Sequence, residues 1–181
     1  MEQLAANPTK IATKWALFYV GVSIVITYAI DLLNLDPNSA IKYISYLPFI
    51  AFCVLTQKEF RDQLGGFLTF GQGFKAGFRY ALFAGFLLAI FTLVYLKVLN
   101  TGALDKMIEQ QQVILAEKNM PQEQIDAATE VTKKWGVLIG TLGAAIGTLI
   151  SGCIVSLIGA AILKKERSPF DVPDTYEGTT V

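Results

Sequence analysis

The stretch Trp135 to Leu163, WGVLIGTLGAAIGTLISGCIVSLIGAAIL, is a run of 29 residues without a charged side chain. A helix rising about 1.5 Å per residue crosses a hydrocarbon core of roughly 30 Å in about 20 residues. This run therefore spans a bilayer and must tilt or project beyond it. Its small residues are ordered as well. Gly136 and Gly140 form one GxxxG, Gly143 and Gly147 a second, and Ser151 continues the series. Steps of four, three, four and four keep them on one stripe, over which another helix backbone approaches closely. Gly152, Ser156 and Gly159 begin a neighbouring stripe. The first stripe reads either as a self-association face or as packing against the chain's own helices, and the second reading is preferred. On both, leucine at Gly140 and Gly147 should disrupt packing.

The rest of the chain has the same solvent. Hydrophobic residues make up 53% and charged residues 17%, against roughly 25% charged in an average globular protein. Trp15 to Ile30 is uncharged and apolar character continues to Leu35; no small-x-small cleavage site follows, so this helix is expected to be retained. Tyr43 to Gln57 is short, and becomes adequate once Asn38, Ser39 and Ala40 start the helix after Pro37. Pro48 then falls inside it as a tolerated kink. Tyr80 to Leu96 is the third run. The expected fold is all-α: one domain over 1–165 with transmembrane helices at about 15–35, 39–57, 79–97 and 135–163, followed by a mobile tail at 166–181. Nine Lys and Arg fall on the side of the N-terminus and six on the other, which favours both termini in the cytoplasm.

Between the third and fourth runs lies the one sizeable polar segment. Leu104, Met107, Ile108, Gln111 and Leu115 recur at helical spacing, Asn119-Met120-Pro121 interrupts, and Ile125, Ala128 and Val131 resume the pattern into Trp135. These spacings predict an outer helical hairpin at about 102–134, its arms extending the third and fourth spans, either as a docking surface or as a connector. Before the third run, Phe67, Phe70, Phe74 and Phe78 share one helical face beside Lys75 and Arg79. An interfacial lead-in, with Phe among acyl chains and cations among head groups, is preferred over an anionic-lipid or partner site.

Candidate chemistry is sparse. The chain has no histidine, which excludes Ser-His-Asp and Cys-His sites and His-ligated metals. Fifteen basic residues balance fifteen acidic ones, so no net charge would hold nucleic acid. Asp31 is the only carboxylate near a span; Asn34, Asp36, Pro37 and Asn38 follow at once, which places it at the outer interface rather than at a proton-carrying midplane. Cys53 and Cys153 should lie at similar depth and act as small hydrophobes. No catalytic residue, metal site or cofactor is expected.

Phe70-Gly71-Gln72-Gly73-Phe74-Lys75-Ala76-Gly77-Phe78, the apolar run ending at Tyr95-Leu96-Lys97, and the ending Ile150-Ser151-Gly152 to Ala161-Ile162-Leu163-Lys164-Lys165 together carry a resemblance. With the layout and length, the chain resembles the 4199 family of domains of unknown function, small four-span bacterial membrane proteins, over nearly its whole length. The resemblance implies a one-domain integral protein of the bacterial inner membrane and no activity or site residues. The expected function is that of a non-catalytic membrane subunit acting through helix and hairpin contacts, with the bilayer, a second copy or another membrane protein as partner. The alternative is a small transporter or channel subunit.

Overall fold

The computed structural model describes residues 6–33, 35, 43–44 and 46–166. Among these residues five α-helices follow one another: α1 (Pro8–Leu32), α2 (Tyr46–Gln63), α3 (Phe70–Val94), α4 (Ala103–Glu117) and α5 (Gln122–Leu163). Among the described residues the only extended pairing is an isolated antiparallel bridge between Leu68 and Lys165. Among the described residues three helical stretches are long and apolar enough to cross a membrane: α1, α3 with its continuation to Leu99, and α5.

Each helix starts for a local reason. The Asn7 side chain accepts from the backbone N–H groups of Thr9 (3.0 Å) and Lys10 (3.3 Å), and Pro8 follows at a first-turn position where its missing donor costs nothing. Pro48 likewise lies in the first turn of α2, because α2 begins at Tyr46. A kink in mid-helix is not found, since the residues it would disturb precede the helix. The proposed start at Asn38 to Ala40 and the tail 167–181 lie outside the described residues. α2 stops at Gly65 and Gly66, both at positive φ (77° and 86°), a conformation other residues resist.

The glycine-rich segment expected to precede the third span belongs to it. Thr69 and Gln72 form a capping box: Gln72 N–H donates to Thr69 Oγ1 (3.3 Å) and Thr69 N–H donates to Gln72 Oε1 (3.0 Å). α3 therefore begins at Phe70, about nine residues before the span expected from hydropathy. Gly73, Ala76 and Gly77 then face inwards, and Phe67 lies ahead of the helix.

The most extensive contact in the bundle joins α3 to α5 in antiparallel fashion. Gly73 meets Ala160, Gly77 meets Ser156, Ala81 meets Gly152 and Gly85 meets Ala145. Steps of four on α3 match small residues on α5, so the two backbones close to a distance that side chains would forbid. A Cβ on Gly152 would overlap Ala81, and one on Gly77 would sit 2.5 Å from Ser156 Oγ. The stripe in use within the chain is thus Gly152, Ser156 and Gly159.

Gln57 locks this seam to α2. The side chain is fully buried, and its Nε2 donates to the backbone carbonyls of Gly73 (3.0 Å) and Ser156 (2.8 Å). Two carbonyl partners fix the amide's orientation, because an oxygen there would face two acceptors. Oε1 has no hydrogen-bond partner among the described residues and rests against Gly159, where a Cβ would overlap it. Nearby, Tyr80 OH donates to the Phe49 carbonyl (3.1 Å), and Cys53 Sγ lies 3.6 Å from Ser156 Oγ. Cys53 thus pairs with a serine on α5, one turn from Cys153, and both cysteines are free thiols.

Two outcomes test this account. Gly152→Ala should lower stability in detergent by about 1–3 kcal/mol through overpacking, whereas Gly147→Ala should raise it by up to about 1 kcal/mol through helix propensity. Tryptophan-monitored unfolding in mixed micelles reads both. Thermal midpoints of Gln57→Leu and Gln57→Glu should separate, with Leu costing about 1–2 kcal/mol and Glu more, since a carboxylate would face two carbonyl oxygens. Equal losses would mean that the amide is not a donor bridge.

Candidate functional site

The bundle has two chemically distinct ends. At one, the α1 N-terminus, the α2–α3 connection and the α5 C-terminus converge. There Lys14 Nζ pairs with Glu59 (2.5 Å), Trp15 Nε1 donates to the same carboxylate (2.7 Å), and the Leu68–Lys165 bridge closes with bonds of 2.8 and 2.9 Å. Ile11, Phe60, Leu68 and Ala76 form a core cluster beneath it. These contacts tie chain segments together.

The other end, beside the α4–α5 hairpin, is open. α3 finishes in a π-helical turn, Tyr95–Leu99, with Asn100 N–H donating to the Tyr95 carbonyl (2.8 Å). Such wide turns occur where a helix must re-aim its side chains. Asn100 leaves the helix at φ −140°, and its Nδ2 donates both to Asp31 Oδ2 and to Tyr95 OH, each at 3.0 Å. The chain then turns through Gly102 into α4, which brings Lys106 Nζ to 3.8 Å from Asp31 Oδ1. Tyr28 meets Tyr95 edge-on, with ring centroids 6.3 Å apart.

Asp31, Tyr95, Asn100 and Lys106 rim a cleft of about 610 Å³ walled by Ile30, Leu35, Leu96, Ala103 and Met107, with Gln110 and Thr27 also facing it. Ile30 also lines a second cavity of about 420 Å³, bounded by Tyr19, Tyr46, Phe49 and Leu88 on one side and by Gly143, Ala144, Gly147, Thr148 and Ser151 on the other. Volumes of this size, apolar with a few polar groups, suit a small-molecule or single-chain ligand. Among the described residues no three Cys, Asp or Glu converge to hold a metal ion.

The residues singled out in the sequence are dispersed. Gly136 is buried against Leu104 of α4, where a Cβ would stand 2.8 Å from Leu104 Cδ1. Gly140 has only Leu96 nearby, 3.6 Å from a Cβ position, while Gly143 and Gly147 have nothing within 4 Å. Within the chain, an added Cβ is crowded at Gly152 and Gly159 but not at Gly140 or Gly147. Ser151 is half-buried. Phe74 and Phe78 stack at 5.8 Å, half-buried; Phe70, Lys75 and Arg79 are exposed, and Lys165 Nζ lies 5.4 Å from the Phe67 ring centroid. Asp31 stands at the hairpin end of α1, as its neighbours in sequence suggest. Asn100, Tyr95 and Lys106 were not legible as its companions. The one available signal was an Asn-Thr-Gly break directly after an apolar run.

A family model described as "Protein of unknown function (DUF4199)" matches residues 14–165. No curated protein and no solved structure matches the chain. The matched residues begin within α1 and end at the Leu68–Lys165 bridge, so they include the α3–α5 seam, the hairpin and the whole Asp31 cleft: the chain belongs to the DUF4199 family of proteins of unknown function.

Proposed function

We propose that this protein is a four-span subunit of a bacterial inner membrane that acts through protein contacts, made by its hairpin and by the open face of α5. The fourth crossing would be α2. α1 ends beside Asn100 and α3 begins beside Lys165, which supports a return along the bundle through α2. Its packing against α1, α3 and α5 relaxes the hydropathy that a lipid-facing helix needs. Lys14, Lys58, Arg61, Lys75, Arg79, Lys164 and Lys165 cluster at the end opposite the hairpin, which supports cytoplasmic termini. Lys42 and Arg167, also counted in the charge bias, lie outside the described residues.

The observation that carries the contact reading is the hairpin itself. At about 1.5 Å per residue, the 42 residues of α5 extend on the order of 60 Å, twice a hydrocarbon core. Trp135, with Lys134 Nζ 5.7 Å from its ring centroid, suits the interface. Beyond it, uncharged pairs hold α4 to α5: Gln112 Nε2 donates to Thr129 Oγ1 (3.1 Å), and Thr132 Oγ1 donates to Gln111 Oε1 (2.8 Å). Ile108 and Ile125 are buried between the arms, yet Met107, Val113, Ile114 and Val131 remain exposed. Exposed aliphatic side chains on a braced, water-side element favour a protein partner. A transporter would need polar groups at the midplane, whereas Asp31 and Asn100 stand at one end of the bundle.

Native mass spectrometry from mild detergent, with crosslinking in the membrane, tests this. Val113→Glu with Ile114→Glu should abolish a heteromeric complex or defined homo-oligomer while helicity and thermal midpoint persist. Intact assembly in that variant, or a monomer with no crosslinks in the wild-type protein, would overturn the reading.

A further inference from the structure

The Asp31 cleft and the adjoining cavity have an order that matches one class of ligand. Asp31 closes a helix whose residues Trp15 to Ile30 are uncharged, and Tyr28 and Tyr95 flank it. Aromatic rings of this kind sit at head-group depth. The second cavity shares Ile30 with this cleft and is lined on α5 by Gly143 to Ser151, within the uncharged run. Polar groups thus stand at the membrane surface, and the apolar space leads inwards from them.

The charges restrict the head group. Asp31 and Lys106 contribute one charge of each sign, 3.8 Å apart, wider than a closed charge-assisted hydrogen bond at about 2.7–2.9 Å. Their side chains are 37% and 64% exposed, so both are accessible to a ligand. A balanced pair favours a ligand that is itself balanced over a net anion. Asp31, the Tyr95 hydroxyl and the Gln110 amide oxygen all accept hydrogen bonds, which suits an ammonium bearing N–H groups, and Lys106 would take a phosphate.

The walls restrict the tail. α1 and α5 make no extensive contact with each other, and the second cavity occupies the gap between them. With nothing within 4 Å of a Cβ position, Gly143 and Gly147 form a smooth floor. In a bilayer such a groove is filled by hydrocarbon.

We propose that the cleft is a lipid site for a zwitterionic phospholipid with a primary ammonium, its phosphoethanolamine head between Asp31 and Lys106 and one acyl chain along Gly143 and Gly147. The site depends on membrane embedding and is compatible with contacts made through the hairpin, but it gives the Gly143 and Gly147 stripe to lipid instead of to the α5 protein contact proposed above.

The full-length protein in detergent would be titrated with dioleoyl phosphatidylethanolamine, phosphatidylcholine and phosphatidylglycerol, and with soluble glycerophosphoethanolamine. Bound lipid would be read by native mass spectrometry. Phosphatidylethanolamine should be retained about tenfold over the other two, the size of one charge-assisted contact. Asp31→Asn should remove that preference, and Gly147→Leu should reduce retention of all three lipids. Thermal midpoints no lower than that of the wild-type protein show that neither variant acts through misfolding. Equal retention of the three lipids, indifference to both substitutions, or binding of glycerophosphoethanolamine as tight as that of the lipid would each overturn the proposal. The same spectra report oligomeric state, so loss of lipid with assembly intact, or the reverse, separates this site from the subunit reading.

Discussion

Close approach of two backbones, α3 and α5, is the constraint on which the rest of the structure depends. In lipid there is no hydrophobic gain from burying one apolar helix against another, so association rests on dispersion contacts and interhelical hydrogen bonds. Gly73, Gly77, Ala81 and Gly85 bring α3 within van der Waals reach of Ala160, Ser156, Gly152 and Ala145. That proximity brings the carbonyls of Gly73 and Ser156 within reach of a single side-chain amide. Gln57 bridges them, and α2 is thereby placed. The aromatic cluster of Tyr19, Phe49 and Tyr80 then fills the space between α1, α2 and α3.

The seam also explains where the bundle is open. Because α5 uses the stripe of Gly152, Ser156 and Gly159 for α3, its other stripe, around Gly143 and Gly147, turns towards the gap beside α1. One helix therefore carries two small-residue faces with opposite fates. The first is filled by the chain itself, and the second lines a cavity. Towards the hairpin the helices part further, and the π turn at Tyr95–Leu99 redirects Asn100 onto Asp31 instead of prolonging α3 into α4. The first arm of the hairpin is consequently a separate helix, whereas the second is the uninterrupted start of α5.

Hydropathy, proline and glycine positions were enough to read an all-α membrane-type chain, the long final helix and a hairpin broken near Asn119, because these depend on local periodicity and on solvent. Asn119 does take a positive φ of 54° at that break. The early start of α3 was also written in the sequence, as Thr69 and Gln72 at capping-box spacing, but glycines at 71, 73 and 77 hid it by lowering apparent helix propensity. Pro48 misled in the opposite way, since a proline within an apolar run reads as a kink until the helix start is known.

Sequence by itself determined which segments are helical, which run can tilt through a bilayer, and that the chain belongs among apolar, histidine-free membrane proteins. These are properties of composition and of periods of three to four residues. Only the tertiary structure decided which glycine stripe is occupied, that Gln57 spans two helices 16 and 99 residues away in the chain, and that Asp31 meets Asn100 and Lys106. Two stripes on one helix are equivalent until a neighbour is chosen, and a lone carboxylate has no partner until helices distant in sequence are brought side by side.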